Sequence, residues 1–582
     1  VINIITSKKK GEGYMVQFNQ NLSYSQFAGM DTYSSALLNY NKNRFSANAN
    51  VSLLQGKDRH ILHTTRDRDA EEVFLKTDLT TEWQSDLEAY LNYGLGLQYE
   101  LSEKGYLSME YAGFSEQLGG HQLSNNRIED RAGVSFYESD IKLDETNLNN
   151  SLSLNYQQAL DTTLTLFVGG QYVGFRAGAN NFIDENSLEA NTLSYRALRN
   201  LSDVDVDIFS AQVDLTKVYN NKNTFEYGAR YSDVINAARF DFSVAPDGQN
   251  FRRDDQLSNQ FSYQESITAA YMSFGSRPTD KFNYTLGLRS EYTIYELQLS
   301  QIEERKIADA YLNFFPRLSA NLKLSEQQSI NFAYTAGINR VPYQRLNPVL
   351  LYQDPYTSIQ GNPESIPEKR HAFEVSTQFK STSIKLGYNY VTYPFGGGAL
   401  RGQDDKSYVL IRLNFDESHE YFSSITQRFD LNWLSSANTL NLRYTDIIDR
   451  QFGFEHYQPR LNLYFYSNNR ITIGSFMNFE VLFWYLGDNN EGLYKRKSSW
   501  SMSLTAEKSF FNSALKCRFI ANDIFHSVRA AGDYRVGETD IYFHRHWNTN
   551  YARLSLIYNF GKLTESSFKN KSVGKSEGAR VR

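Results

Sequence analysis

The chain of 582 residues holds one cysteine, ten prolines and nine histidines, and it has no surplus of basic residues, since 60 Lys and Arg stand against 66 Asp and Glu. The lone Cys517 excludes a disulfide framework and a cysteine-based zinc site. A net charge of -6 and a pI near 6.0 exclude the electrostatic footprint of a nucleic-acid binder. Also missing is any apolar run approaching the ~18 residues that a membrane helix needs. With a mean hydropathy of -0.54, a bundle of membrane helices is therefore excluded. A membrane-spanning β-barrel passes the same test, because its strands are apolar on one face only. What the chain does have is aromatic residues, 41 Tyr and 39 Phe among them, too many for a disordered polymer. The length would ordinarily give roughly three or four domains, yet no composition break marks their boundaries.

The pattern along the chain is one of period two. Phe45, Ala47, Ala49, Val51 and Leu53 alternate with Arg44, Ser46, Asn48, Asn50 and Ser52, which defines a strand with one apolar face. The pattern recurs at Leu91–Glu100, Phe282–Arg289, Arg317–Leu324, Ile330–Gly337, Phe373–Phe379, Ile384–Tyr390, Leu440–Tyr444 and Leu554–Phe560. Short polar turns are expected at 41–43, 102–105, 220–223, 277–281, 325–328, 380–383, 435–438, 467–469 and 511–513, and long loops at 55–87, 117–145, 179–204, 236–260 and 339–369. A first strand near 13–27, ten hairpins and a last strand near 550–560 make about 22 strands. The fold class expected is an all-β, transmembrane antiparallel β-barrel with short periplasmic turns and long extracellular loops.

Two arguments place that barrel in a membrane. Many segments alternate for the roughly 9 to 11 residues that a tilted strand needs to cross the hydrocarbon. A closed sheet of about 22 strands also has a lumen too wide for side chains to fill, so its polar face points inward and its apolar face meets lipid. Tyr24, Tyr99, Tyr292, Tyr390, Tyr444 and Phe560 lie at strand ends, where interfacial girdles form. A tandem of soluble β-sandwiches would alternate too, but usually over shorter strands.

Three stretches carry a family resemblance: Phe315-Pro316-Arg317-Leu318-Ser319 with Tyr334-Thr335 and Asn339-Arg340-Val341-Pro342; Gly361-Asn362-Pro363-Glu364-Ser365-Ile366-Pro367-Glu368; and Asn522-Asp523-Ile524-Phe525 with the closing Arg553–Gly561. The chain resembles the barrel of TonB-dependent outer-membrane receptors, and is most similar to the outer membrane protein β-barrel family common in Bacteroidota. Val1-Ile2-Asn3-Ile4-Ile5-Thr6 is not a signal peptide; it resembles the end of the plug domain that precedes such barrels. The organisation expected is residues 1–11 as the end of an upstream plug-like domain, 12–561 as the barrel and 562–582 as a flexible periplasmic C-terminal tail.

Candidate chemistry is sparse. No phosphate loop, nucleophile elbow or zinc-protease helix is present, so no catalytic residue, metal site or cofactor is expected. His544 and His546 would share one side of an extended segment, and His60 and His63 sit near Lys57 and Arg59, but exposed loops explain both pairs more simply than metal ligation. Asp203, Asp205 and Asp207 share the parity of lipid-facing Phe209 and Val213, so this row marks a strand leaving the membrane, with calcium binding as the lesser alternative. Gly396-Gly397-Gly398 reads as a loop tip, and Cys517 faces lipid with Leu515 and Phe519. The proline-stiffened stretch 339–369 gathers Arg340, Tyr343, Arg345, Tyr352, Asp354 and Tyr356, the candidate ligand-binding residues.

The resemblance implies a nutrient transporter of the Gram-negative outer membrane, not an enzyme. Its ligand would be captured by the extracellular loops and passed through a plug-gated barrel. The implied partners are outer-membrane lipid, a plug domain, the TonB energy-transducing complex and a surface lipoprotein, with no nucleic acid. The alternative is a barrel that anchors partner proteins without active transport.

Overall fold

The computed structural model describes residues 12–69, 74–220, 222–300, 304–348, 350–354, 356–401, 407–452, 459–474, 476–491, 494–536, 538–562, 568, 571 and 573–581. The expected plug remnant at 1–11 lies outside the described residues. A ring of 22 antiparallel strands closes on itself. The first nine are β1 (Gly13–Ser25), β2 (Gly29–Lys42), β3 (Phe45–Asp69), β4 (Phe74–Ser102), β5 (Gly105–Asp130), β6 (Gly133–Ala159), β7 (Leu164–Glu189), β8 (Thr192–Tyr219) and β9 (Asn223–Ala245). The remaining barrel strands run from Asn259–Thr279 to Tyr551–Gly561, and this last strand pairs with β1 in register from Met15↔Gly561 to Tyr24↔Ala552. Closure leaves the ring no free edge, so its backbone donors and acceptors are paired within the hydrocarbon.

Side chains sort by parity as the sequence leads one to expect. Phe18, Leu95, Leu152, Val213, Leu288 and Phe314 stand exposed on the outside, whereas the alternate positions Gln98, Ser153, Asn155 and Ser210 are buried on the inside. In water such a belt would cost about 25 cal/mol for every Å² of apolar surface left uncovered. Lipid removes that cost, and a soluble sandwich would instead have buried these rows. Cys517 lies on the outward row with the exposed Phe519.

Ten short turns close one end. The turn after β6 was not among those expected; there the Asp161 carboxylate accepts hydrogen bonds from Thr163 N (2.6 Å), Thr163 Oγ1 (2.7 Å) and Leu164 N (2.8 Å). The Thr163 backbone N–H first, then its hydroxyl and the Leu164 N–H, hold the Asp161 pKa down to about 2. Because the folded value lies below the unfolded one near 3.8, this turn is fully stabilised above pH 3.8 and loses that support as pH falls through about 2. A carboxyl-carbon NMR titration is expected to find Asp161 ionising near 2, and Asp161→Asn is expected to remove the pH dependence.

Two expected turns are in fact strand interiors. Residues 435–438 and 467–469 lie within Leu434–Ile448 and Leu461–Ile473, and the strands are joined instead after Asp430, at 431–433, and after Ile473, where Gly474 and Phe476 are turn residues. The Ser/Asn composition reflects lumen-facing rows rather than turn chemistry. Ser436 Oγ donates to Asn469 Oδ1 and Ser467 Oγ to Asn438 Oδ1, both at 2.7 Å across the strand pair.

The opposite end departs further from expectation. Among the described residues, 55–69, 74–87, 117–145 and 179–204 belong to the outer halves of β3–β8 and the tight turns at 131–132 and 190–191 rather than to long loops, and 236–260 continues β9 to Ala245 before leaving the sheet. Strands β3 to β9 are 23 to 29 residues long, so more than half of each stands beyond the hydrocarbon. They were unreadable as strands because their polarity inverts at the membrane surface. In β8, Phe209 and Val213 face lipid and Ser210 faces the lumen, but higher up Val206 and Ile208 are buried inward while Asp203 and Asp205 face out. Arg176 neutralises that row, with Nε 2.8 Å from Asp205 and Nη2 3.0 Å from Asp207. Where strands are shorter, the wall is completed by a hairpin, Arg529–Val536 and Thr539–His546, whose second strand pairs with β3 from Ile61↔His546 to Asp67↔Asp540.

Residues 573–581, expected from the sequence to belong to a flexible periplasmic tail, pack against the inner wall of the barrel, whereas Lys562 stays exposed beside the start of β1. Val573 and Val581 are buried, and Val581 joins a lumenal apolar cluster with Val173, Phe175, Val206, Ile208 and Tyr343. The physical reason is charge pairing: inward-facing Asp214 and Glu265 on the wall meet Lys571 and Arg580.

Candidate functional site

Two extracellular connections fold inward and make a four-stranded lid sheet of their own. Leu350–Asp354 pairs with Thr357–Gln360, which runs parallel to Tyr408–Asn414, which pairs in turn with Phe395–Arg401. Gly396–Gly398 is thus a lid strand rather than a loop tip. Glycine is required at 396, since a Cβ there would stand 1.9 Å from the ring of Phe415, which is fully buried. Gly396→Val is expected to destabilise the lid by about 1–3 kcal/mol through overpacking, read as faster proteolysis of the lid on intact cells with the barrel unaffected.

The sheet is fastened at both sides. Tyr356 OH donates to Tyr137 OH at 2.6 Å, and Arg66 Nη2 on β3 donates to Thr357 Oγ1 at 2.8 Å. The same guanidinium lies 4.6 Å from the centre of the Tyr408 ring, and Tyr408 OH reaches Thr539 Oγ1 at 2.8 Å. The Gly361–Glu368 motif joins the two connections: Asn362 N donates to Arg345 O (2.7 Å), Asn362 Nδ2 to Arg412 O (3.3 Å) and Ile366 N to Asn414 Oδ1 (3.0 Å). A side chain at 361 would strike Asn347 O at 2.1 Å, which explains that glycine.

The lid is rooted in a buried ionic network. Arg340 Nη2 donates to Glu291 Oε2 (2.9 Å) and Thr293 Oγ1 (3.0 Å), and its Nε lies 3.8 Å from Glu265 Oε1. Arg289 Nε holds the other oxygen of Glu291 at 2.6 Å, and Tyr263 OH donates to Glu265 at 2.9 Å. Beneath the lid, a cavity of about 270 Å³ is lined by Tyr343, Arg345, Asn147, Asn181, Asn200 and Phe261, among others. Tyr343 is fully buried and its hydroxyl has no hydrogen-bond partner.

Of the residues expected to bind ligand, then, Tyr343 and Arg345 meet at the cavity. Arg340 is engaged in the lid's root, and Tyr356 pins the far side of the lid to the wall. Tyr352 and Asp354 fall in the strand Leu350–Asp354. Sequence reasoning missed Glu265, Glu291 and Arg66. The available signal was a charge within an otherwise apolar inward row, as at Glu265 between Tyr263 and Ile267, both buried.

The histidines do converge in part, because His63 on β3 pairs in register with His544 on the added hairpin. The His544 and His546 rings lie 4.3 Å apart, and burial, with positive neighbours including Arg529, lowers both pKa values. Among the described residues no group of three His, Cys, Asp or Glu could hold a metal ion.

Comparison with known proteins agrees with this architecture. Residues 158–558 match the outer membrane protein beta-barrel family. No curated protein matches the chain in sequence. Solved structures of similar fold include the ferric yersiniabactin uptake receptor FyuA from Yersinia pestis, at TM-score 0.61 and 9% identity, covering 95% of this chain and 81% of that one. The siderophore receptor PiuA from Acinetobacter baumannii gives a TM-score of 0.60 at 11% identity over 95% of this chain and 82% of that one. The ferric-catecholate import receptor Fiu from E. coli K12 gives the same four values. Identities this low establish a common fold, and the resemblance read from the sequence holds at the level of family and fold. With the family match spanning well over half its length, the chain belongs to the outer membrane protein beta-barrel family and spans the outer membrane as a 22-stranded barrel.

Proposed function

We propose that this barrel is the translocating body of a TonB-dependent receptor that captures a nutrient at its extracellular mouth, and that it is not an enzyme. The observation that carries the reading is the lid sheet, folded into the mouth and fastened to the wall at Tyr137, Arg66 and Thr539 above a lined cavity. A diffusion pore has no use for such closure. Transport needs the lid to release ligand inward, with the energy coming from the TonB complex pulling on a plug. Uptake receptors of like fold support this direction without fixing the ligand.

The test is accumulation of ferric chelates, cobalamin, oligosaccharides and peptides by cells that carry or lack the chain. Uptake of one class is expected to require both the chain and TonB. In a Cys517→Ser background, Tyr137→Cys with Tyr356→Cys, side chains that meet tip to tip in the wild type, is expected to lock the lid when bridged by a short bis-methanethiosulfonate cross-linker and to abolish that uptake until reduction. A barrel serving only as an anchor would leave uptake unchanged under both perturbations.

A further inference from the structure

We propose that the inner wall formed by β7, β8, β9 and Asn259–Thr279, together with Tyr343, is a binding groove for a peptide segment carrying two spaced basic side chains, and that residues 571 and 573–581 of this chain, which include a single helical turn at Lys575–Gly578, are its resident occupant. The groove goes beyond the transport reading, and its test reads peptide binding rather than uptake.

The occupant climbs one inward row of β7. The Lys571 ammonium sits 4.2 Å from the centre of the Phe167 ring, Val573 lies against Gly169, and Gly574 N donates to Gln171 Oε1 at 2.6 Å. Gly169 makes the close approach possible, because a Cβ there would be 2.7 Å from Val573 Cγ2. At its upper end Val581 enters the apolar cluster around Val173 and Phe175.

Charge on the wall mirrors charge on the segment. Lys571 pairs with Asp214 on β8, Glu577 with Arg230 on β9 and Arg580 with Glu265 on Asn259–Thr279. The sequence plus, minus, plus thus meets minus, plus, minus. Arg230 Nη1 also donates to Ser576 Oγ at 3.2 Å. Glu265 and Glu577 are almost wholly buried, and so is Arg580, whose guanidinium stacks 4.2 Å from the Tyr343 ring centre. Arg580 Nε donates to Val341 O and Tyr343 N to Arg580 O, both at 3.1 Å, so the occupant touches the root of the lid through its main chain as well. Removing one member of a buried, hydrogen-bonded charge pair is costly, which makes Arg230–Glu577 and Glu265–Arg580 readers of charge position rather than general attraction, while the half-exposed Lys571 adds a rim contact to Asp214.

The experiment uses the full chain in detergent and a fluorescent peptide of the sequence of residues 568–582. Wild type, its groove occupied, is expected to bind the peptide weakly. A variant carrying Lys571→Ala, Glu577→Ala and Arg580→Ala is expected to bind it at least ~10-fold more tightly, about 1.4 kcal/mol. Adding Glu265→Gln or Asp214→Asn to that variant is expected to lose ~10-fold or more, as is replacing the peptide's basic residues with Ala. Equal binding to wild type and the triple-alanine variant, no binding to either, or indifference to Glu265 and Asp214 would overturn the proposal. As a check that does not depend on peptide affinity, Gln171→Cys with Gly574→Cys in a Cys517→Ser chain is expected to form a disulfide in isolated outer membranes. Failure to cross-link under oxidation would remove the resident occupant.

Discussion

Asp523→Ala is expected to cost the barrel about 3–5 kcal/mol, because it deletes a buried charge that several donors share. Asp523 is fully buried at a positive φ of 44°. Its carboxylate accepts from Ser527 N (3.0 Å), Ser527 Oγ (3.0 Å), Val528 N (3.3 Å), Thr549 Oγ1 (2.7 Å) and Ser501 Oγ (3.4 Å). Its own carbonyl accepts from Asn550 Nδ2 at 2.8 Å, while Asn522 Nδ2 reaches Thr549 O at 2.7 Å. These groups belong to Ser499–Phe510, to the connection after Leu515–Asn522 and to the residues just before the closing strand. With Ala at 523 the donors are stranded next to the seam where the last strand meets β1. The measurement is the temperature at which the folded, fast-migrating form disappears on unheated gels; a large drop is expected for Asp523→Ala and a much smaller one for Asp523→Asn, which keeps an acceptor. An unchanged transition for the alanine variant would contradict the assignment.

The second large effect concerns the root of the lid. Arg340→Met preserves the length and apolar stem of the side chain but leaves Glu291 and Glu265 short of a cation in a site where both are buried. The expected cost is about 3 kcal/mol. If that cost falls on local opening of the 340–367 connection, the open population rises roughly 100-fold. Limited proteolysis on intact cells reads this directly, as faster cleavage in the lid with an unchanged barrel core. A loss of the whole barrel instead would mean that the network holds the wall and not the lid. Arg340, expected from the sequence as a ligand contact, lies in the fold within the ionic network of Glu291, Thr293 and Glu265.

Much of the architecture was written in the alternation itself. One-sided apolarity is what lipid on one face and a wide lumen on the other impose, so the strands inside the hydrocarbon could be counted, and the parity of Phe209, Val213 and Cys517 was read correctly. The same logic explains what was missed. Above the membrane both faces of a strand meet protein or water, and in β8 the inward side becomes the greasier one, with Val206 and Ile208 buried beneath the lid. A search for outward apolar rows therefore ends at the membrane surface and leaves the rest looking like loop. At 435–438 and 467–469, Ser and Asn were read by their turn propensity, although here they are paired rungs of a lumenal ladder.

The candidate site was legible only in outline. Proline and aromatic content singled out 339–369, but the lid's partners on the other connection, such as Tyr408 and Phe415, come from a glycine-rich stretch whose strands are too short to show periodicity. The network that roots the lid is assembled from neighbouring strands, and only their pairing register and the inward path of the chain after Asn339 bring Glu265, Glu291 and Arg340 together. Nor could the placement of Arg580 be inferred from its neighbours in sequence. It depends on an acid fixed to a distant wall.

The inversion of polarity along β8 is the most direct test. Single cysteines placed from 203 to 214 in a Cys517→Ser chain, labelled with a fluorophore in reconstituted bilayers, should divide into three sets. Labels at 209, 211 and 213 are expected to be quenched by bromine on lipid tails and to be shielded from aqueous iodide. Labels at 203 and 205 should show the reverse, and those at 210, 212 and 214 should respond to neither lipid quencher nor bulk iodide as strongly as the outward sets. Lipid quenching that failed to alternate between 209 and 214, or that continued outward through 203, would contradict the account.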